Sequence, residues 1–230
     1  MRLPNSGQSS TDCQYNSLGY RTHEFKNISQ PYVLAFGSSH TDGTGLVNED
    51  RWTSYLEKLL GCQVYAVAIG GSSSKIILQN LLNWLSSDLP DPQAVVFQWP
   101  PIYRVFFWKD SNGTMLTAAQ NNIQFENLLK SGDENFWVDY IQHILLADAL
   151  CKEKNVPCVH MILDNDENCI EQIKKITDVF GVTLHLDEKI PGKTWLFDCD
   201  ASDKIHHSKK CQQQWAERVY DLLVNKTKVC

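Results

Sequence analysis

Short, nearly continuous apolar runs constrain this chain more than any other feature: Tyr32 to Phe36, Val64 to Ile69, Ala94 to Trp99 and Cys158 to Leu163. A strand with one wet face alternates polar and apolar residues. A continuous run marks a strand buried on both faces, the habit of parallel sheets covered by helices. The segments between the runs have helical spacing. Residues 49 to 60 place Trp52, Tyr55, Leu56, Leu59 and Leu60 on one face, with Asn48 as the expected cap and Gly61 as the stop. Ile76, Ile77, Leu81, Leu82, Trp84 and Leu85 repeat the pattern before Pro90 and Pro92 end it. A long helix is expected at about 134 to 154, another near 168 to 180, a short strand at 182 to 186 and a last helix over 208 to 224. Strand and helix alternate throughout, so one α/β domain over 1–230 is the expectation. Residues 1–30 form a polar lead-in, and residues 100–132 an irregular, aromatic-rich insertion.

Composition narrows the function. The chain has 230 residues, 43% hydrophobic and 21% charged, which is globular rather than disordered or fibrous. Its net charge is −6 and it has no Lys/Arg-rich run, so a nucleic-acid partner is not expected. No stretch reaches the roughly 18 apolar residues a membrane span needs, and the polar start, Met1 to Thr11, does not read as a secretory signal. The eight cysteines show neither Cys-x-x-Cys nor zinc spacing and are expected to be reduced thiols, as in the cytoplasm or in a larger assembled particle. On that expectation the sequons at Asn27, Asn112 and Asn225 are chance.

The segment Gly37-Ser38-Ser39-His40-Thr41-Asp42-Gly43 directly follows the first apolar run. Sites in open α/β sheets gather at the carboxyl ends of strands. A serine on such a turn exposes its hydroxyl, and the loop's N–H groups suit a developing negative charge. Near the other end, Asp203-Lys204-Ile205-His206 precedes the last helix. An aspartate three residues before a histidine can fold back onto Nδ1, leaving Nε2 free to take a proton from a hydroxyl. His207 is the neighbouring alternative. His40 is read as structural or substrate-facing, and His160 as a satisfied core histidine.

Taken in order, these segments resemble the blocks of the SGNH/GDSL hydrolase family. The first block, Gly-Asp-Ser-x-Thr-x-Gly, is similar to Gly37 to Gly43, with Ser38 in place of the aspartate. The second is similar to Ala66 to Ser73, its oxyanion glycine matching Gly71, and the Asp-x-x-His block matches Asp203 and His206. Asn16 to Phe25 resembles a lead-in of many such proteins and is expected to pack on the domain. The resemblance implies a three-layer α/β/α domain with a parallel, flavodoxin-like sheet. It also implies Ser39 as nucleophile, His206 as base, Asp203 as its orienter, and Ser39 and Gly71 N–H groups as oxyanion donors. No metal or organic cofactor is implied. The family's third block carries an asparagine in Gly-x-Asn-Asp that completes the oxyanion hole. This chain instead reads Gln98-Trp99-Pro100-Pro101-Ile102-Tyr103-Arg104. Arg104, with its long reach, is the first candidate to replace it. Gln98 is the second, because strand alternation leaves its face open.

The resemblance implies cleavage of an ester. Tyr103, Phe106, Phe107 and Trp108 in the insertion, and later Phe125 and Trp137, offer ring faces of the kind that stack on sugars, so an O-acetylated carbohydrate is the first expectation, with Arg104, Gln98, Trp99 and Tyr103 as candidate substrate-binding residues. The alternatives are a degenerate carbohydrate-binding or structural module, an acyltransferase, and a lipase or thioesterase. An oligomer or larger assembly is compatible with all of them.

Overall fold

A computed structural model describes residues 13–28, 31–102, 104–107, 114–116, 123–163, 167–186 and 206–227. The apolar runs are β1 (Tyr32–Gly37), β2 (Gln63–Ala68), β3 (Ala94–Trp99) and β6 (Cys158–Ile162), and with β7 (Leu184–Leu186) they form one parallel sheet in the order β2-β1-β3-β6-β7. That is the flavodoxin-like arrangement.

The order dictates the layers. The step from β1 to β2 and the step from β2 back past β1 to β3 run in opposite directions. Parallel crossovers are right-handed, so their helices must lie on opposite faces. Accordingly α2 (Trp52–Leu60) and the last helix, α6 (Lys209–Thr227), cover one face. Their Trp52, Leu56, Trp215 and Val219 pack on Val33, Ala35, Val96 and Met161. Helices α3 (Ser74–Leu85), α4 (Ile123–Glu153) and α5 (Glu167–Val179) cover the other. There Ile77, Ile144 and Ile173 share a core with Leu34, Phe36, Phe97 and Trp99.

Three local expectations are corrected. Asn48 does not cap α2. It opens a 3₁₀ turn, Asn48–Asp50, and Arg51 takes the cap position. The Asn48 Oδ1 that would have capped the helix instead accepts from Arg21 Nε and Nη2, at 3.1 and 2.8 Å. Helix α4 begins at Ile123, well before the expected 134, and runs through Gly132. A glycine inside a helix costs only about 1 kcal/mol, too little to end one. The start of the insertion is not wholly irregular: β4 (Val105–Phe107) and β5 (Thr114–Leu116) pair antiparallel.

Among the described residues of the lead-in, Thr22, His23 and Phe25 contact the domain. Thr22 Oγ1 accepts the Ala66 N–H of edge strand β2 at 3.0 Å, and His23 Nε2 meets Glu57 Oε2 at 2.8 Å. Phe25 is 9% exposed and lies edge-on to Trp84.

One polar cluster sits inside the sheet's α3/α4 face. Asp148 of α4 faces His160 Nε2 at 3.4 Å and Lys152 Nζ at 2.7 Å. Burial alone would raise the Asp148 pKa, but those partners outweigh it and hold it at about 2. A carboxylate depressed in the folded state stabilises above its unfolded pKa, and the benefit fades as pH falls toward the folded value. Asp148→Asn is therefore expected to lose about 2 kcal/mol at neutral pH. Its stability should also fall less steeply than wild type between pH 4 and 2, as read by urea unfolding across that range.

Candidate active site

Strand β1 ends at Gly37, and the chain turns at once into the single-turn helix α1 (Ser39–Asp42). Glycine at position 37 is a steric requirement: a Cβ there would overlap Thr41 Oγ1. The Thr41 hydroxyl instead donates to Gln98 Oε1 at 2.5 Å, tying the turn to β3. Gly43 ends the turn with φ +72, a left-handed conformation natural to glycine. The turn closes through Asp42 N–H to Ser38 O at 2.8 Å, with Gly43 and Thr44 N–H to Ser39 O at 2.9 and 3.0 Å.

Ser39 is 5% exposed, and among the described residues its Oγ has no hydrogen-bond partner; neither do Ser38 Oγ, His40 Nδ1 and Gln98 Nε2. A buried polar atom left unpaired costs about 1–3 kcal/mol, so four of them along one turn and the strand beside it mark a place that packing alone does not account for. Gln98 lies on the α2/α6 face of β3, since Phe97 and Trp99 are in the opposite core. That settles the orientation that strand alternation had left open.

The histidine segment comes to this turn. The His40 ring lies 5.1 Å from that of His206 and 4.6 Å from that of His207, and His207 packs 4.7 Å from Trp215. Gln212 of α6 bonds across the gap, donating from Nε2 to His40 O at 3.3 Å and accepting the Trp52 N–H at 2.8 Å. Burial, with His207, His206 and Arg104 nearby, holds the His40 imidazole well below the usual histidine range. Burial first, then His206, pushes His207 down to about 4. Asp42 is raised by burial, while Arg21 and His206 draw it back.

Gly71 follows the carboxyl end of β2, in a turn closed by Ser72 N–H and Oγ to Ile69 O at 3.1 and 2.8 Å, with φ +80 at Gly71. Ser73 caps the following helix by accepting the Ile76 N–H at 3.4 Å. Arg104 closes a turn, its N–H donating to Pro101 O at 3.0 Å. Trp99, a candidate substrate-binding residue in the sequence, is fully buried in the α3/α4 core, its indole N–H donating to His160 Nδ1 at 3.1 Å. Asp203 and Tyr103, like Trp108, lie outside the described residues.

Among the described residues, Asp148, Cys158 and His160 group their ligand-type atoms within 4.8 Å. They do not suit a metal ion. An indole N–H only donates, so Trp99 fixes the His160 lone pair on Nδ1 and the neutral ring's proton on Nε2. Nε2 is the atom that faces Cys158 Sγ, at 3.3 Å, and Asp148. Burial opposes the His160 imidazolium, although Asp148 and Cys158 raise its pKa overall. Cys151 beside it, and burial, push the Cys158 thiol up, away from the thiolate that a ligand or nucleophile needs. Cys158 also opens β6, at the amino end of the sheet, opposite Ser39.

No protein-family model matches the chain, and no curated protein matches it significantly. Solved structures do. A lipolytic protein of the G-D-S-L family from Desulfitobacterium hafniense superposes with TM-score 0.57 at 12% identity, covering 84% of this chain and 100% of the other. An acetyl xylan esterase from Butyrivibrio proteoclasticus gives 0.56 at 15%, covering 88% of this chain and 65% of the other. A psychrotrophic esterase from Pseudoalteromonas, solved inhibited by monoethylphosphonate, gives 0.55 at 16%, covering 85% and 98%. This chain therefore has the fold of the SGNH/GDSL lipolytic proteins and carbohydrate esterases. No helix among the described residues is long and apolar enough to cross a membrane.

The depressed histidines carry a pH signature. A buried histidine kept neutral binds fewer protons folded than unfolded, so stability is full above the unfolded pKa, near 6.5, and is lost as pH falls toward the folded value. Tm is expected to drop between about pH 6.5 and 4, and His207→Gln should flatten part of that drop in a calorimetric series.

Proposed function

We propose that this protein is a serine esterase whose nucleophile is Ser39, with His206 as general base and then acid and Asp203 as its orienter. The observation that carries this reading is the buried Ser39 hydroxyl on the turn after β1, without a hydrogen-bond partner among the described residues and beside the segment that holds His206. In the reaction Ser39 Oγ attacks the ester carbonyl as His206 takes its proton. The tetrahedral oxyanion is received by the Ser39 and Gly71 N–H groups. His206 then returns the proton to the leaving alkoxide, and water repeats the sequence to free the acid. An O-acetyl group on a carbohydrate is the proposed substrate. The acetyl xylan esterase among the structural neighbours supports it, as does the density of aromatic residues in the 100–132 insertion. The other occupants of the same chemistry are acyl transfer to a sugar and hydrolysis of longer acyl chains.

Gln98 is proposed as the third oxyanion donor, ahead of Arg104. Its Oε1 is held by Thr41, two residues from Ser39, and its buried Nε2 has no acceptor among the described residues. Arg104 is proposed to bind substrate.

A second reading rests on one observation: residues 98 to 104 contain no asparagine. On that reading the site binds an acylated carbohydrate without cleaving it.

Labelling with a fluorophosphonate probe separates the two readings. The wild type should be labelled, and Ser39→Ala and His206→Ala should not, while His207→Ala keeps most activity. An unlabelled wild type that still binds an acetylated oligosaccharide by calorimetry would establish the binding module instead. Gln98→Met should lower kcat on an aryl acetate by about 10²–10³ with little change in KM, and Arg104→Ala should act mainly on KM. The reverse ranking of the two kcat effects would return the donor role to Arg104.

A further inference from the structure

The lead-in does more than cover the edge of the sheet. Arg21 is 2% exposed, and its guanidinium spends its bonds on the segment that follows the Ser39 turn. Nη1 donates to Gly43 O at 2.8 Å, Nη2 donates to Leu46 O at 2.8 Å, and Nη2 and Nε share Asn48 Oδ1 at 2.8 and 3.1 Å. Nη1 also lies 4.0 Å from Asp42 Oδ2. Gly43 in turn donates its N–H to Ser39 O at 2.9 Å. Two hydrogen bonds thus connect the Arg21 side chain to the peptide of Ser39.

The strap is itself braced. Asn16 Oδ1 accepts the N–H groups of Leu18 and Tyr20 at 3.0 Å, and Asn16 Nδ2 donates to His23 O at 3.1 Å, closing a compact loop that contains Arg21. Arg51 donates from Nη1 to Arg21 O and from Nε to Asn48 O, so both ends of the contact are held from below. A Cβ at Gly43 would overlap Arg51 Cγ, so the loop has no slack on that side.

We propose that Arg21 is a positioning residue that sets the Ser39 turn through the Gly43 carbonyl, so that the lead-in is a working part of the active site. This rests on the reading of Ser39 as nucleophile. The planar fork explains the residue type: one guanidinium reaches two carbonyls and an amide oxygen at once, and an ammonium does not. Positioning matters because a shift of about 1 Å at a reacting group costs on the order of 10²-fold in rate.

The test compares Arg21→Lys with Glu57→Gln in the full chain. Glu57 holds the same lead-in through His23 and accepts the Val64 N–H of β2. Two readouts are taken on folded protein: the rate of phosphonylation by the fluorophosphonate probe, and amide exchange at Gly43 and Thr44. Arg21→Lys should slow phosphonylation about 10–100-fold, accelerate exchange at both amides, and lower kcat on an aryl acetate more than it changes KM. Glu57→Gln should lower Tm while leaving the labelling rate and both amides at wild-type values. Wild-type labelling and exchange in Arg21→Lys would overturn the proposal, as would an equal slowing in Glu57→Gln. If the wild type itself is not labelled, the esterase reading fails. The exchange rates at Gly43 and Thr44 then decide the positioning role alone. If Arg21→Lys fails to fold, Asn48→Ala, which removes an acceptor of the same guanidinium, takes its place with the same expected outcomes.

Discussion

The reversal of strand order at β1 governs everything else in this molecule. β1 lies between β2 and β3, so the chain leaves it in one direction and passes back over it in the other. Right-handed crossovers then force α2 and α3 to opposite faces, and their connections part at the carboxyl ends of β1 and its neighbours. The crevice this opens is where the chain places the Ser38–Gly43 turn, the Gly71 turn and the end of β3. Helix α6 returns to the α2 face, and so the histidines at its start arrive beside His40.

Polar groups are buried on both faces of this sheet, but with different consequences. Toward α4, the Trp99–His160–Asp148–Lys152 chain has its donors and acceptors matched, and it reads as structure. Around Ser39 the accounting is left open at several atoms. Among the described residues, unmatched buried atoms also occur singly at Trp52, Thr53, Trp84 and Gln93, but Ser38, Ser39, His40 and Gln98 bring four of them together. That grouping is the physical argument behind the proposal of a site at the β1 end and not at the cysteine and histidine cluster.

Rigidity at the candidate site comes from outside the turn itself. The turn after β1 is too short to hold itself: α1 spans only Ser39–Asp42. Thr41 to Gln98 secures it from β3, Gln212 from α6, and Arg21 from the lead-in. These anchors come from three distant parts of the chain, which makes the turn a property of the complete domain.

The strands were legible in the sequence because burial on both faces leaves runs with no polar alternation, as at Tyr32–Gly37 and Ala94–Trp99. The turn after β1 was legible because Gly37 and Gly43 meet steric demands that admit little else. The start of α4 was not, because Gly132 is a weak breaker that packing overrides. Nor was the fate of Asn48, whose side-chain oxygen serves equally as a helix cap or as an acceptor for a distant guanidinium; only the approach of Arg21 decided between them. The face of Gln98, the core role of Trp99 and the reach of Arg21 across to Gly43 likewise belong to the tertiary structure. Local sequence sets periodicity and turn geometry, while a hydrogen bond between residues far apart in the chain exists only after the sheet has brought them together.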